Sequence, residues 1–313
     1  MRILVTGGAG FIGSNIADEY LKQDHDVTVV DDFSTGKREN INSKARFFKI
    51  DIGAEEIENI FEQGRFDTVS HHAAQIDVRK SVANPLFDAK VNILGSLNLL
   101  QNCVKYGVKN FIFASTGGAI YGEQVEFPAP ESHPTNPLSP YGAAKLAVEH
   151  YLLFYKQIYG LNPTILRYAN VYGPRQDPHG EAGVVAIFTQ KLLKGEQPVI
   201  NGDGMQTRDF VYVGDVVKAN VLALSQLPTH DSQLPTVFNI GTGSEVTVKK
   251  LFKQLVEITG AKVEERQAPP KRGEQKRSVI DFTRARKKLG WLPQVSIEDG
   301  LRRTVDYFRG KCK

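Results

Sequence analysis

The sequence predicts an α/β protein with a doubly wound parallel sheet. Short runs rich in β-branched and aromatic residues alternate with segments that are long enough for helices, as expected of repeated βαβ units. The chain has 313 residues, of which 41% are hydrophobic and 24% charged, so it can bury a large core or two unequal lobes. The predicted strands are residues 3–6, 27–30, 46–50, 68–71, 111–115 and 164–167.

A second, smaller lobe is predicted to begin near Asn170. From there the regular alternation gives way to the turn-rich sequence VYGPRQDPHG, whose glycines and prolines favour loops. Residues 209–227 indicate a return to the first lobe, and residues 262–270 an irregular connection before the final helices. The predicted first lobe therefore comprises residues 1–168 and about 209–230, and the predicted second lobe comprises residues 169–208 and about 231–313.

The composition argues against several classes of partner. The net charge of +4 arises from 39 basic and 35 acidic residues without a basic stripe, so we expect no nucleic-acid partner. We expect no membrane association either, because the sequence shows neither a signal-like segment nor a long apolar span. The two cysteines, Cys103 and Cys312, do not form a disulfide framework and fit a reducing cytoplasm. The seven histidines lack metal-ligand spacing, so no metal is expected.

A Gly-rich segment, GGAGFIG at residues 7–13, follows the first predicted strand and opens a helical pattern. Glycines let the backbone turn tightly and approach a pyrophosphate, which the amide groups and dipole at a helix N-terminus attract. Asp31 ends the next predicted strand, where a carboxylate accepts hydrogen bonds from ribose hydroxyls and repels a 2′-phosphate, so NAD is predicted rather than NADP. The predicted NAD contacts of this Rossmann-type unit are Gly7, Gly10, Phe11, Ile12, Gly13, Asp31 and Asp32.

Tyr141 and Lys145 lie four residues apart at the predicted start of a helix, which places both side chains on one face. A free phenol has a pKa of about 10, but a neighbouring ammonium group and a positive nicotinamide ring both favour the phenolate. Tyr141 is therefore a candidate general base near neutral pH. The pair follows a predicted strand that ends in the hydroxyl-bearing residues Ser115 and Thr116.

Together, the Gly-rich loop, the Ser-Thr strand end and the Tyr141–Lys145 pair resemble the extended short-chain dehydrogenase/reductase superfamily, and within it the NAD-dependent epimerase/dehydratase family. The similarity extends from Arg2 to about Phe308 and is looser at RGE, residues 272–274. The segments that carry it are HAAQIDVRKS (72–81), RYANVYGPR (167–175), GDG (202–204), TRDFV (207–211) and NIGTG (239–243).

The resemblance implies an isomerase that inverts carbon 4 of a UDP-hexose, as in the interconversion of UDP-glucose and UDP-galactose, through a transient 4-keto sugar and a tightly bound NAD. In this reaction Tyr141 removes the proton of the 4-hydroxyl, while Lys145 binds the nicotinamide ribose and lowers the pKa of Tyr141. The further cofactor contacts that it implies are Asp51, Ile52, Ala73, Ala74, Gln75, Asn92 and Tyr168. The substrate contacts that it implies are Asn170, Arg208, Arg272 and Thr116.

One position departs from the family pattern. Counted back from Tyr121, the catalytic serine of typical members falls on Gly117 in this chain. Thr116 is the first candidate to replace that hydroxyl and Ser115 is the second. For Ser115, a purely structural role in satisfying backbone groups at the strand end is an equal alternative.

Several other functions remain open. The substrate could carry an N-acetyl group at carbon 2 or be a UDP-uronate, for which Arg79 is a conceivable carboxylate partner. A dehydratase is disfavoured, since Gly117, Gly118 and Ala119 supply neither acid nor base. A decarboxylase, like an epimerase that acts on a uronate, would need a cation such as Arg79 for the carboxylate. A non-catalytic NAD-sensing module is disfavoured because Tyr141 is present together with its lysine partner.

A homodimer is the predicted assembly. Residues 91–106 and 143–159 form helical patterns that are apolar over more than one face. The family resemblance implies that such helices are buried in a four-helix interface between two subunits. Burial within one subunit is the alternative.

Overall fold

The computed structural model describes residues 1–178, 183–226, 237–270 and 275–311. Arg272, a predicted substrate contact, and Cys312 lie outside the described residues. The strands are β1 (Arg2–Thr6), β2 (Asp26–Asp31), β3 (Arg46–Lys49), β4 (Thr68–His71), β5 (Asn110–Thr116), β6 (Asn162–Tyr168), β7 (Asn170–Tyr172), β8 (Ile200–Asn201), β9 (Thr207–Arg208), β10 (Phe210–Tyr212), β11 (Val237–Ile240), β12 (Val246–Thr247) and β13 (Gln267–Ala268).

The helices alternate with these strands. A 3₁₀ turn spans Arg38–Asn40, and a π-helical turn spans Lys90–Leu94. The α-helices are α1 (Phe11–Lys22), α2 (Ile57–Gly64), α3 (Val78–Ala83), α4 (Pro85–Ala89), α5 (Gly95–Lys105), α6 (Pro140–Tyr159), α7 (Val184–Leu193), α8 (Val213–Gln226), α9 (Val248–Thr259), α10 (Thr283–Leu289) and α11 (Ile297–Lys311).

Seven of the strands form one parallel sheet in the order β11-β6-β5-β4-β1-β2-β3. The order reverses at β1, because β2 and β3 lie on one side of it and β4 begins the other side. The loops that follow β1 and β4 therefore diverge and open a crevice at the carboxyl edge of the sheet, where doubly wound folds bind their ligands. All six predicted strands lie in this sheet, so the predicted fold class is confirmed.

Helices cover both faces of the sheet, and each face has its own hydrophobic core. On one face, Ile16 of α1 and Val216 of α8 belong to the same core as Val5 of β1. On the other face, Leu152 of α6 packs in the core that contains Leu4. Neighbouring residues of β1 thus enter opposite cores, and each fully buried aliphatic side chain contributes about 1.5–3 kcal/mol to stability. Within the described ranges, no helix is long and apolar enough to cross a lipid bilayer.

A third core lies among helices of the C-terminal half. Phe188 of α7, Leu251 of α9 and Val305 of α11 pack together in it. Short two-stranded pairings, β8 with β13 and β9 with β12, connect the segments around these helices. Residues 262–270, predicted as an irregular connection, contain the short strand β13.

The lobe boundaries differ from the prediction in one region. Residues 231–313 were assigned by sequence to the second lobe, but β11 pairs in parallel with β6 and completes the main sheet. Phe238 and Ile240 of this strand enter the same core as α1 and α8, and Trp291 is fully buried there. These side chains lie late in the sequence, but their burial against the main sheet is favourable. This burial, and not the sequence position, decides where β11 lies. The division into lobes otherwise stays a prediction.

Candidate active site

The Gly-rich loop joins β1 to α1 at the centre of the carboxyl edge. Gly7 has a φ of +67°, and a Cβ atom there would lie 2.6 Å from a backbone nitrogen of the loop that follows β4. Gly13 packs so closely on the carbonyl of Gly7 that a side chain would have no room. Gly10 caps α1 without a side-chain hydrogen bond, which leaves the amide groups of Phe11 and Ile12 without a capping acceptor. The loop thus offers the close approach and the donors that a pyrophosphate needs.

Asp31 ends β2 beside this loop and is 6% exposed. Its two carboxylate oxygens accept one backbone hydrogen bond each, from Ala9 at 3.0 Å and from Phe33 at 2.8 Å. Burial raises the pKa of this carboxyl, and the two backbone hydrogen bonds oppose the rise. Each oxygen keeps a further lone pair for a ribose hydroxyl. Asp32 is exposed and accepts a hydrogen bond at 2.8 Å from the amide of Ser34, so it closes the turn after β2.

The loop after β4 is tied to β1 and to the π-helical turn. Thr6 Oγ1 accepts a hydrogen bond from the amide of Ala73 at 3.2 Å. Gln75 donates its amide hydrogen to Asn92 Oδ1 at 3.0 Å and accepts one from Asn92 Nδ2 at 2.9 Å. Asn92 lies in the π-helical turn, a distortion that is frequent at functional sites. Hydrogen bonds from Ala73 to β1 and between Gln75 and Asn92 thus hold residues 73–75, including Ala74, at the carboxyl edge of the sheet.

Asp51 and Ile52 follow β3 at the outer end of the same edge. Asp51 is exposed, and its Oδ1 accepts a hydrogen bond at 2.8 Å from the amide of Gly53. Ile52 is buried in the core beneath α5, and its carbonyl accepts a hydrogen bond from Asn98 Nδ2 at 2.8 Å. Asp51 thus lies at the surface, whereas the side chain of Ile52 belongs to the core.

Tyr141 and Lys145 lie in the first turns of α6. Ser139 caps this helix by accepting a hydrogen bond from the Gly142 amide at 3.1 Å, and Pro140 occupies the first helical position, where it costs no hydrogen bond. Lys145 is buried, donates to the carbonyl of Ala114 at 2.9 Å and lies over an aromatic ring. The prediction that both side chains occupy one helix face is consistent with this placement.

The environment shifts the proton affinity of both groups. Burial, together with the negative charge of Asp88, raises the pKa of Tyr141, and a side-chain hydrogen bond with Thr116 lowers it. Burial lowers the pKa of Lys145 to about 8, and the carboxylates of Asp88 and Glu149 oppose that fall. Lys145 therefore carries a proton at neutral pH but is close to losing it.

The two hydroxyls at the end of β5 point in different directions. Ser115 donates its hydroxyl hydrogen to Glu149 Oε1 at 2.6 Å, and this carboxylate also binds Arg167 through two hydrogen bonds of 2.6 and 3.0 Å. Thr116, the last residue of β5, instead lies near Tyr141 and lowers the pKa of its phenol. Ser115 is thus engaged by Glu149, whereas Thr116 is the hydroxyl next to the phenol. The geometry favours Thr116 over Ser115 as the hydroxyl of the site.

Gly117 is tightly packed in the turn after Thr116. A Cβ atom there would lie 2.7 Å from Ile280 Cδ1, and the amide of Gly117 donates to the carbonyl of Tyr168 at 2.7 Å. At Gly118, by contrast, a Cβ atom would be 3.7 Å from Asn170 Oδ1, an ordinary contact. Thr116 stays the first candidate for the hydroxyl that the family pattern places at Gly117.

The side chain of Tyr168 does not reach the crevice. It is buried, and its hydroxyl accepts a hydrogen bond from Asn220 Nδ2 of α8 at 2.8 Å. Arg167 points to the α6 face, so alternation along β6 sends Tyr168 to the α8 face. The Tyr168 side chain thus packs against α8, and the cofactor contact of this residue stays a prediction.

Asn170 and Arg208 lie on the second-lobe side of the crevice. The amide of Asn170 donates to the carbonyl of Asp209 at 2.9 Å, and Arg208 Nη1 donates to the carbonyl of Thr207 at 2.8 Å. Asp209 is buried and accepts hydrogen bonds from the loop after β11, including one of 2.8 Å from the amide of Thr242. Burial raises the pKa of Asp209 to about 6. Asp209 thus connects the loop after β11 to the segments that carry the two predicted substrate contacts, Asn170 and Arg208.

Three charged residues beside the Tyr141–Lys145 pair are not identified by sequence: Asp88, Glu149 and Arg167. The spacing carries a signal for Glu149, which follows Lys145 by four residues on the same helix face. Asp88 lies in the short helix α4 and Arg167 on β6, so only the tertiary fold brings them near the pair.

Comparison with known proteins agrees with this architecture. The family model described as the NAD dependent epimerase/dehydratase family matches residues 3–241. A UDP-glucose 4-epimerase of Mycolicibacterium smegmatis is 44% identical, with 100% of both chains covered. The crystal structure of a UDP-glucose 4-epimerase of Thermotoga maritima with UDP-glucose is 54% identical, with a TM-score of 0.96 and 100% of both chains covered. That of a Thermus thermophilus UDP-glucose 4-epimerase in complex with NAD is 48% identical, with a TM-score of 0.93 and 99% of both chains covered.

The fold and the site define a dinucleotide-binding enzyme of the short-chain dehydrogenase/reductase type. The chain belongs to the NAD-dependent epimerase/dehydratase family. The family, the enzyme class and the NAD cofactor predicted from the sequence are confirmed.

Proposed function

We propose that this chain interconverts UDP-glucose and UDP-galactose by inverting carbon 4 of the hexose. The observation that carries the proposal is the placement of Tyr141 in the first turn of α6 together with the buried Lys145 and with Thr116 near the phenol, at the sheet edge that bears the Gly-rich loop. Relatives that match the whole chain are named for this reaction. A role in galactose metabolism and a cytoplasmic location, consistent with the free, buried thiol of Cys103, belong to the same proposal.

The carboxyl edge fits an NAD molecule. We propose that Gly7, Gly10 and the first turn of α1 bind its pyrophosphate, and that Asp31 accepts hydrogen bonds from the adenosine ribose. The absence of side chains in the loop is required there, since a Cβ at Gly7 would collide with the β4 loop. Lys145 is placed to bind the nicotinamide ribose. When bound, NAD supplies a hydride acceptor and donor for carbon 4.

The proton is handled by side chains of this chain. Tyr141 takes the proton of the sugar 4-hydroxyl and later returns it, while Thr116 hydrogen-bonds the same oxygen. Burial alone would keep the phenol of Tyr141 protonated at neutral pH, because it raises the pKa of this group. The ammonium of Lys145 offsets this effect by stabilising the phenolate. Redox neutrality of the whole cycle follows, since the hydrogen removed from carbon 4 is returned to it.

The substrate is held mainly through its nucleotide. We propose that Asn170 and Arg208 bind the diphosphate from the second-lobe side of the crevice, with charge-assisted hydrogen bonds from the guanidinium. Arg272 is proposed for the same role from sequence alone. Loose contacts to the hexose let the 4-keto sugar turn and present its other face.

The alternative substrates receive less support. Arg79, the candidate partner of a uronate carboxylate, is exposed and lies 3.8 Å from Asp77 Oδ1. The guanidinium of Arg79 thus lies near the carboxylate of Asp77, the residue that caps α3. The positions after Thr116 bring no acid or base for a dehydratase, because they are Gly117, Gly118 and Ala119. Relative rates on UDP-galactose, UDP-N-acetylgalactosamine and UDP-galacturonate decide among the epimerase substrates.

We also propose a homodimer built on α5 and α6. Both helices leave apolar side chains exposed, including Leu94 before α5 and Phe154 and Ile158 on α6, of which Phe154 is 48% and Ile158 is 58% exposed. A continuous apolar face of this kind is a typical subunit interface. Light scattering at working concentration should give a dimer mass for the parent protein and a monomer mass for Phe154→Glu/Ile158→Glu. Val125→Glu, at an exposed site outside these helices, should remain dimeric. A monomeric parent protein contradicts the proposal.

The reaction is tested by incubating the purified, NAD-loaded protein with UDP-galactose and following UDP-glucose by chromatography. We expect both sugars at equilibrium from either direction. Tyr141→Phe, with NAD still bound, serves as the matched inactive control. Absence of interconversion by the NAD-loaded parent protein would overturn the proposed function.

A further inference from the structure

Asp88 is a buried acidic residue that the proposed chemistry does not use. It lies in α4, which packs against α6, and only 1% of its surface is exposed. Its Oδ1 accepts hydrogen bonds from Gln75 Nε2 at 2.9 Å and from Asn92 Nδ2 at 3.0 Å. One oxygen thus ties the β4 loop to the π-helical turn.

The second oxygen of Asp88 is different. Oδ2 is buried and has no hydrogen-bond partner among the described residues. A buried carboxylate oxygen without a hydrogen-bond partner costs free energy, unless a positive charge nearby stabilises it. An amide side chain would offer the same acceptor oxygen to Gln75 and Asn92 without burying a charge. The negative charge of Asp88 therefore requires an explanation beyond this structural tie.

The nearby positive charge is Lys145. Asp88 favours its protonated form, and Glu149 acts in the same direction. Glu149 is already engaged by Arg167 and Ser115, whereas Asp88 Oδ2 is not. Asp88 also acts on Tyr141, whose pKa it raises.

The other titratable groups around Lys145 are neutral, paired or exposed. His71 is buried between Thr6 and Ser96, and burial together with Lys145 lowers its pKa well below the usual range. The same two causes lower the pKa of His72 to about 3. The remaining charged side chains on the elements that pack against α6, within the described residues, are exposed or paired: Arg79, Lys80, Lys90, Lys105 and Arg167.

We propose that Asp88 is a positioning residue that acts through Lys145, as the buried counter-charge that keeps the ammonium group protonated beside the Tyr141 phenol. Its tie to Gln75 and Asn92 fixes the place of that charge. The catalytic part of this inference rests on the proposed epimerase function, whereas the effect on Lys145 does not.

The test compares Asp88→Asn with Asp67→Asn in the NAD-loaded protein. Asp88→Asn retains an acceptor for Gln75 and Asn92 and removes the charge. Asp67→Asn removes the same charge at the amino end of the sheet, where Asp67 makes an exposed pair with Arg2. The first readout is the titration of Lys145 by NMR of protein labelled with carbon-13 at the lysine Cε, with the signal assigned from Lys145→Arg.

We expect Asp88→Asn to lower the midpoint of the Lys145 titration by about one pH unit, and Asp67→Asn to leave it unchanged. The second readout is the pH profile of turnover. Since Asp88 raises the pKa of both Tyr141 and Lys145, its removal should move both limbs of the profile to lower pH. A merely structural role would reduce the height of the profile without moving it.

An unchanged Lys145 titration in Asp88→Asn overturns the inference. Should this variant fail to fold, Asp88→Ala, which leaves no unpaired amide, is measured in the same way with the same expectation. Should the parent protein fail to interconvert the two UDP-sugars, the proposed function is wrong, but the NMR titration still decides the role of Asp88.

Discussion

The Glu149 side and the Lys145 side of the polar cluster along α6 contrast in how fully their polar groups are paired. On the Glu149 side, the carboxylate receives three hydrogen bonds, from Ser115 and Arg167, and Arg167 also donates to Tyr121 at 2.9 Å. On the Lys145 side, near Tyr141, the charges of Lys145 and Asp88 are buried with fewer partners, and one oxygen of Asp88 has none among the described residues. A saturated network, in which the polar groups are fully paired, holds the backbone in place. An unsaturated network retains groups that can bind ligands and move protons.

The largest expected effect comes from the unsaturated side. Tyr141→Phe removes the proposed proton carrier and keeps the ring, so turnover should fall by about 10²–10⁴-fold while the fold and the bound NAD remain. Steady-state rates, NAD content and thermal unfolding measure these three quantities. A variant that keeps its turnover would show that the two sides of the cluster along α6 do not differ in the way described.

The saturated side should respond in stability. Glu149→Gln leaves the guanidinium of Arg167 buried without a counter-charge, and we expect a loss of about 3–5 kcal/mol in the free energy of unfolding. Asp67→Asn, which breaks the exposed Arg2–Asp67 pair, should cost less than about 1 kcal/mol. Denaturant unfolding compares the two variants. Equal losses would mean that the buried network is no more important than a surface pair.

The smallest expected effects separate the two neighbouring hydroxyls. Thr116→Val should lower turnover by about tenfold with NAD content unchanged, because the phenol loses a hydrogen bond that stabilises its charged form. Ser115→Ala should leave turnover nearly unchanged and cost about 1–3 kcal/mol of stability, because Glu149 loses a donor. The reverse pattern would assign the catalytic hydroxyl to Ser115.

The parts of the site that the sequence predicts are those set by local spacing. Glycines between a strand and a helix define the phosphate loop, and a spacing of four places Tyr141 and Lys145 on one helix face. The six predicted strands are recognised in the same way, because each is a short apolar run between helical patterns. Local pattern therefore suffices for the main sheet and for the core of the site.

The parts that the sequence does not predict depend on long-range contacts. Asp88 meets Lys145 only after α4 packs on α6, and Arg167 meets Glu149 only after β6 pairs with β5. The choice between Ser115 and Thr116 depends on which of the two hydroxyls Glu149 engages, and the sequence leaves this open. Strand β11 is short and follows a long helix, so its place at the sheet edge is decided by the burial of Phe238 and Ile240.

The central claim is that carbon 4 is inverted without loss of its own hydrogen, by a site in which Tyr141 moves only the hydroxyl proton. The most direct measurement is the conversion of UDP-galactose by the NAD-loaded protein in deuterium oxide, with the product analysed by proton NMR. The account predicts UDP-glucose that retains protium at carbon 4. Deuterium at carbon 4 would contradict it, because the hydrogen would then have exchanged with solvent and inversion would proceed by deprotonation of carbon.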